Sequence, residues 1–208
     1  MSSIGYRGLL YEVSQNLKDS RKVNQILYTA RSEGLIAEDS ESYNAQVNPE
    51  DSNGVVVMQL FSDLQKQDNL GIDNLEILRD LLKEVKKWSL IDRVDKFEKQ
   101  RKDFVTLSDK IIRKFDERDN LDELIELCAD HIPDDVKEDI KDVRTLFSEL
   151  EKKNRLGFGR LAILKKILDE TGEQDLLDDL IMFEKKWKQE EVAERRRGKS
   201  LFFSINVS

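Results

Sequence analysis

One cysteine, one histidine, two prolines and nine glycines are spread over 208 residues, and each scarcity excludes something. The lone Cys128 cannot form an intrachain disulfide, so the chain is no disulfide scaffold. So little Pro and Gly excludes collagen-like and low-complexity chains. No apolar run approaches the roughly 20 residues that span a bilayer. The start of the chain lacks the basic head, apolar stretch and small-residue cleavage site of a secretory leader. A cytoplasmic protein with no integral membrane segment is expected. Nor is there an excess of positive charge: 35 Lys and Arg against 43 Asp and Glu give a net −8. Duplex-binding faces are usually basic, so no nucleic-acid partner is expected.

What is present favours helices. Charged and hydrophobic residues each make up 38% of the chain, rich in Leu, Lys, Glu and Asp, which predicts an all-α fold laced with surface charge. Apolar period and punctuation predict helices over 4–17, 20–32, 55–67, 73–86 and 88–99, with Asp73 as an N-cap. A second series is predicted over 103–118, 120–130, 133–140, 142–153, 159–170 and 173–190, with Pro133 at a helix start and Gly172 after a helix end.

The two series are copies. Residues Leu60 to Lys99 align without gaps to Leu146 to Lys185, and 17 of the 40 positions are identical. The identities include Leu64/Leu150, Leu70/Leu156, Gly71/Gly157, Leu78/Leu164, Leu82/Leu168, Leu90/Leu176 and Phe97/Phe183, mostly apolar and at helical spacing. Upstream the match weakens, and the first copy carries about 14 extra residues, placed in the polar stretch Glu38 to Gly54. That stretch is expected to be a mobile loop. The expected domains are 1–99 and 103–190, each about six short helices around one core, followed by a tail over 191–208. The connection KFEKQRKD between them has no Gly, Pro or Ser. It predicts that the copies dock.

Signs of chemistry are few. Cys128 and His131 have helical spacing, but Cys128 follows Leu124 and Leu127 on a core stripe and reads as a buried structural thiol. The stretch Leu121 to Asp142 holds nine acids against two lysines without EF-hand spacing, and reads as a solvated helix face. Gly157 and Gly159 lack the rest of any phosphate-binding fingerprint. No enzyme, metal or cofactor is expected. Trp88 and Trp187 each read as closing the edge of their own bundle, with an interface anchor as the alternative for an exposed tryptophan. The run Lys185 to Arg197 reads as a solvated helix end, and the period does not account for the short apolar tail SLFFSINVS.

The repeated pattern has an LFS[DE]L helix, a turn ending in LG, an L-x-I-L-[RK]-x-[LI]-L helix and a last helix closing on FEK. It resembles the death effector domain, paired as in the prodomains of initiator procaspases and in the FLICE-inhibitory proteins. The family's charge triad is an Arg-x-Asp-Leu at the start of the last helix, buttressed by an acid on the second helix. Its positions match Lys87, Trp88, Ser89 and Leu90 in the first copy and Glu173, Gln174, Asp175 and Leu176 in the second, so neither triad is intact. Lys87 lacks the planar fork of Arg, and Glu173 reverses the sign. Near the acidic position of the second copy lie Asn120, Asp122 and Glu123, with Leu127 near an apolar contact that falls at Ile26 and Leu27 in the first.

The resemblance implies a non-catalytic apoptosis adaptor or regulator. It would bind the death effector domains of an adaptor and of procaspases at a death-inducing signalling complex and modulate caspase activation. Homo-oligomers or filaments are expected where each copy shows two unlike patches. One such pair of patches is Lys86 and Lys87 against Asp134 and Asp135 of a neighbour. No protease subunits follow the repeats; if the chain is complete, dilution or capping of procaspase chains is expected. A prodomain fragment or isoform of an initiator caspase would instead promote activation by clustering, and a helical scaffold unrelated to cell death is the remaining alternative.

Overall fold

The structure, a computed structural model, describes residues 5–17, 19–37, 43, 52–153 and 155–205; the side chains of Ser52, Glu191 and 194–205 lie outside that description. Helices follow in the order α1 Tyr6–Asn16, α2 Ser20–Ser32, α3 Ser52–Lys66, α4 Glu76–Glu84, α5 Trp88–Asp116, α6 Leu121–Leu127, α7 Asp134–Lys137, α8 Val143–Lys152, α9 Ala162–Glu170 and α10 Gln174–Ile205. A 3₁₀ turn, Ala129–His131, lies between α6 and α7. Among the described residues there is no strand, only two isolated bridges. The chain divides at Arg101/Lys102 into two compact units.

In the N-terminal unit α1 packs on α3, and α2 on α3 and α4. Leu9, Leu10 and Val13 line the inner face of α1, meeting a core that includes Leu60, Leu64, Leu78, Leu82 and Val94. In the C-terminal unit α6 packs on α8 and α9 on α10, with Ile111, Phe115, Leu146, Leu150, Leu164 and Leu168 buried. Two exposed aspartates start helices. Asp19 accepts from the backbone N–H of Arg21 (3.0 Å) and Asp142 from that of Thr145 (2.6 Å), which satisfies amide groups that no helical carbonyl can reach. These N–H donors hold both carboxyls below their ordinary range.

The same backbone bonds recur 86 residues apart. The N–H groups of Asn69 and Leu70 both donate to the Leu64 carbonyl, as those of Arg155 and Leu156 do to Leu150. Gly71 bridges Asn74, and Gly157 bridges Arg160. Lys87 N–H donates to the Leu82 carbonyl (3.0 Å) and Glu173 N–H to that of Leu168 (2.8 Å). The ion pair between the penultimate and last helices recurs too: Arg79 to Asp95 (2.8 Å) and Glu98, and Lys165 to Glu184 (2.6 Å).

Several expectations are corrected. The helices predicted over 88–99 and 103–118 are one, α5, because the intervening KFEKQRKD is made of helix-compatible residues with nothing to break it. The last helix does not stop near 190 but continues to Ile205, through a run rich in Lys, Glu, Gln and Arg. Asp73 is not a cap: it sits inside the turn closed by the reciprocal Gly71 and Asn74 bonds, and accepts from Arg101 Nε (3.1 Å). The helix therefore begins at Glu76, after Leu75. Of the predicted loop over 38–54, Ser52–Gly54 belong to α3. Tyr43 is buried, its hydroxyl donating to Asp63 (2.7 Å); residues 38–42 and 44–51 lie outside the described residues. Lys66, the Tyr43 hydroxyl and Gln59 together hold the Asp63 carboxyl down at about 2.

Candidate interaction site

Each unit presents a corner where the penultimate helix stops and the last begins. In the N-terminal unit α4 ends at Glu84, and Lys86 turns the chain at φ +52°. A side chain in that left-handed conformation is strained. Its N–H donates to the Lys83 carbonyl (2.9 Å), and α5 starts at Trp88. The Lys87 ammonium donates to the carbonyl of Asn16 (2.9 Å), the last residue of α1. There it meets the negative end of that helix dipole. Lys86 and Ser89 are exposed, and Trp88 stands 60% exposed beside them. One turn further along α5, Arg93 pairs with Glu12 of α1 (2.7 Å).

The C-terminal unit builds the same corner with opposite charges. Gly172, at φ +72°, takes the left-handed position without strain. Glu173 is buried, and its carboxylate pairs with the Arg118 guanidinium (2.5 Å). Arg118 also donates to the Thr171 carbonyl (3.4 Å). A carboxylate preceding α10 is favoured by the positive end of that helix, so each unit stabilises its charge at a helix terminus, though at a different one. Asp175 is exposed in the first turn of α10, and Asp179 pairs with Lys110 (2.5 Å). Glu173 and Asp175 line an open groove of about 600 Å³ with Arg113, Lys114 and Glu117.

The structure brings Lys86, Lys87, Trp88 and Ser89 together on one accessible corner, and does the same for Asp175 and the neighbourhood of Glu173. Asp122 and Glu123 are exposed in the first turn of α6, and Asn120, half-buried, donates to Glu123 (3.2 Å). Asp134 and Asp135 are exposed on α7. Lys137 lies 2.5 Å from Asp134 and holds its carboxyl below the ordinary range. Leu127 is half-buried. Three expected contact residues lie inside instead: Ile26 and Leu27 belong to the core of the N-terminal unit, on the inner face of α2, and Glu173 is engaged by Arg118 within its own unit.

Three features escaped the sequence reading: Arg118 as the partner of Glu173, and the pairs Glu12 with Arg93 and Lys110 with Asp179. Their signal lies in the register of α1 against the second half of α5. Tyr6/Phe104, Leu10/Ser108, Val13/Ile111, Ser14/Ile112 and Leu17/Phe115 correspond, and all but Tyr6 are buried. In that register Glu12 corresponds to Lys110, while the repeat already matches Arg93 with Asp179.

The thiol of Cys128 is buried, and burial pushes its pKa up to about 11, so little thiolate forms near neutral pH. Among the described residues no three His, Cys, Asp or Glu side chains gather to hold a metal ion. No helix among them is long and apolar enough to cross a membrane.

Residues 112–186 match the family model of the death effector domain, so the match lies within the C-terminal unit. No curated protein and no solved structure matches the chain. Death effector domains are non-catalytic protein-interaction domains, and the match points to apoptosis-related homotypic interaction.

Proposed function

We propose that the chain is a cytoplasmic, non-catalytic regulator of apoptosis built from two tandem death effector domains. It engages the death effector domains of an adaptor and of procaspases, and so modulates caspase activation at a death-inducing signalling complex. The observation that carries this reading is the family match to residues 112–186. The internal repeat extends the same pattern to residues 60–99, together with the recurring Leu64/Leu150 and Leu82/Leu168 carbonyl bonds. The exposed corners support a docking role. Lys86, Lys87 and Trp88 form a basic and aromatic patch in one unit, while Asp122, Glu123, Asp134 and Asp135 give an acidic face in the other. Unlike patches of this kind join head to tail and leave one open at each end of a chain of copies. Opposite charge across the contact mainly raises encounter rate and fixes orientation.

The test is capture of the full chain by an immobilised adaptor death effector domain across salt concentration. Retention at low salt that falls as salt rises is the expected result, since exposed charges are screened. Reversing the exposed Lys86 to Glu is expected to lower retention with the helical circular dichroism unchanged. Absence of capture by the adaptor domain at low salt would refute the reading.

A further inference from the structure

The two units are built on the same apolar plan but with inverted charges at one particular set of contacts. The apolar plan only partly tells the first helices apart. Tyr6 of α1 lies 6.3 Å from Phe97, and Phe104, at the corresponding place in α5, lies 6.1 Å from Phe183, with ring planes tilted by 45° and 47°. The buried positions of α1 fall in register with those of the second half of α5. Val13/Ile111 and Leu17/Phe115 are apolar in both helices, while Leu10/Ser108 and Ser14/Ile112 exchange a small polar side chain for a large apolar one; apolar pattern alone gives only partial discrimination between them.

The charges differ. One pair joining the first helix to the last is Glu12 with Arg93 in one unit and Lys110 with Asp179 in the other; Asp103 with Lys186 is a further such pair in the second. The neighbouring junction joins Lys87 to the end of α1 in one unit, and Glu173 to Arg118 beyond the end of α5 in the other. By contrast, Arg79 with Glu98 and Lys165 with Glu184 keep the same sense in both units. Those two pairs lie within the continuous repeated segments and never have to choose a partner. The inversion is confined to contacts where a segment from elsewhere in the chain must be selected.

We propose that this inversion helps dictate which first helix each last helix accepts, and so suppresses exchange of first helices between the repeats of two copies of the chain; within one chain the continuous α5 already forbids it. In a crossed pair of copies Glu12 of one meets Asp179 of the other, Lys110 of one meets Arg93 of the other, and the buried Glu173 loses Arg118. Repulsion against the wrong partner adds selectivity to what the apolar positions supply.

The test uses three forms of the full chain, refolded from denaturant at high concentration and separated by size. In Lys110→Glu with Asp179→Arg, the ion pair of the C-terminal unit persists but carries the sense of the other unit. The amount of oligomer is expected to rise about fivefold over the unmodified chain, as the loss of a repulsion of ordinary surface strength implies. Adding Glu12→Lys and Arg93→Glu inverts both units and restores the difference between them, which is expected to return the oligomer to its original level. Circular dichroism of the monomer peak checks that each variant folds. Unchanged oligomer in the first variant, or no rescue in the second, overturns the proposal, because damage from the substitutions themselves would accumulate instead of cancelling.

Discussion

At corresponding corners the two units hold Lys87 and Glu173, side chains of opposite charge on backbones that make the same hydrogen bonds. The difference shows that the corner requires an anchored charge but not a particular sign. An ammonium reaches the carbonyl end of α1 and needs only an acceptor. A carboxylate finds no cation there, and the C-terminal unit supplies one from its longer connection between first and second helices, where Arg118 lies. The exposure of the two solutions differs as well: the Glu173 side chain is 9% exposed and Arg118 44%, whereas Lys87 spends its charge on one carbonyl near solvent.

The comparison is most severely strained by removing the shared core. Leu78 and Leu164 occupy matching, fully buried positions, and each change to Ala is expected to cost about 2–5 kcal/mol. Denaturant unfolding followed by circular dichroism checks this, and unequal losses would show that the units pack the same plan with different tightness. The corner charges come next. Arg118→Ala leaves a buried carboxylate without its cation and is expected to cost about 2 kcal/mol, below the figure for a fully buried pair because the guanidinium is half in water. Lys87→Ala removes one bond near solvent and is expected to cost less than about 1 kcal/mol. Equal costs for the two would dissolve the distinction. Effects of similar small size concern the turn itself. Gly172→Ala places a side chain at φ +72° and is expected to lose about 1 kcal/mol. Lys86→Gly relieves the same conformation at φ +52° and is expected to gain less than about 1 kcal/mol. Thermal midpoints of the two variants should move in opposite directions.

Much of the helical plan was legible because it rests on local signals. Leu78 and Leu82, or Leu164 and Leu168, declare an inner face by spacing alone, and Gly172 marks a helix end because its conformation suits glycine. Boundaries failed where nothing breaks a helix, as between Lys96 and Asp103, or where a turn claimed a residue that otherwise looks like a cap, as with Asp73. The corner was only half legible. Glu173 stood out as a reversed charge, yet its partner Arg118 lies 55 positions away in the chain, and no short-range pattern joins them. Ile26 and Leu27 were assigned to a surface contact although their spacing on α2 fits an inner face equally well. Apolar character alone does not say whether a partner or the protein's own core covers a side chain.

Helix α5 has a practical consequence for anyone wishing to study the units separately. Their boundary, Arg101/Lys102, lies in the middle of a continuous α-helix, so scission there would strip the last carbonyls of one piece and the first amides of the other of their helical partners. The Arg101 contact with Asp73 would then rest on a frayed end, and so would that of Asp103 with Lys186 (2.6 Å). Well-behaved halves would have to overlap by about one helical turn on either side of the boundary, each piece carrying its own copy of the same short stretch.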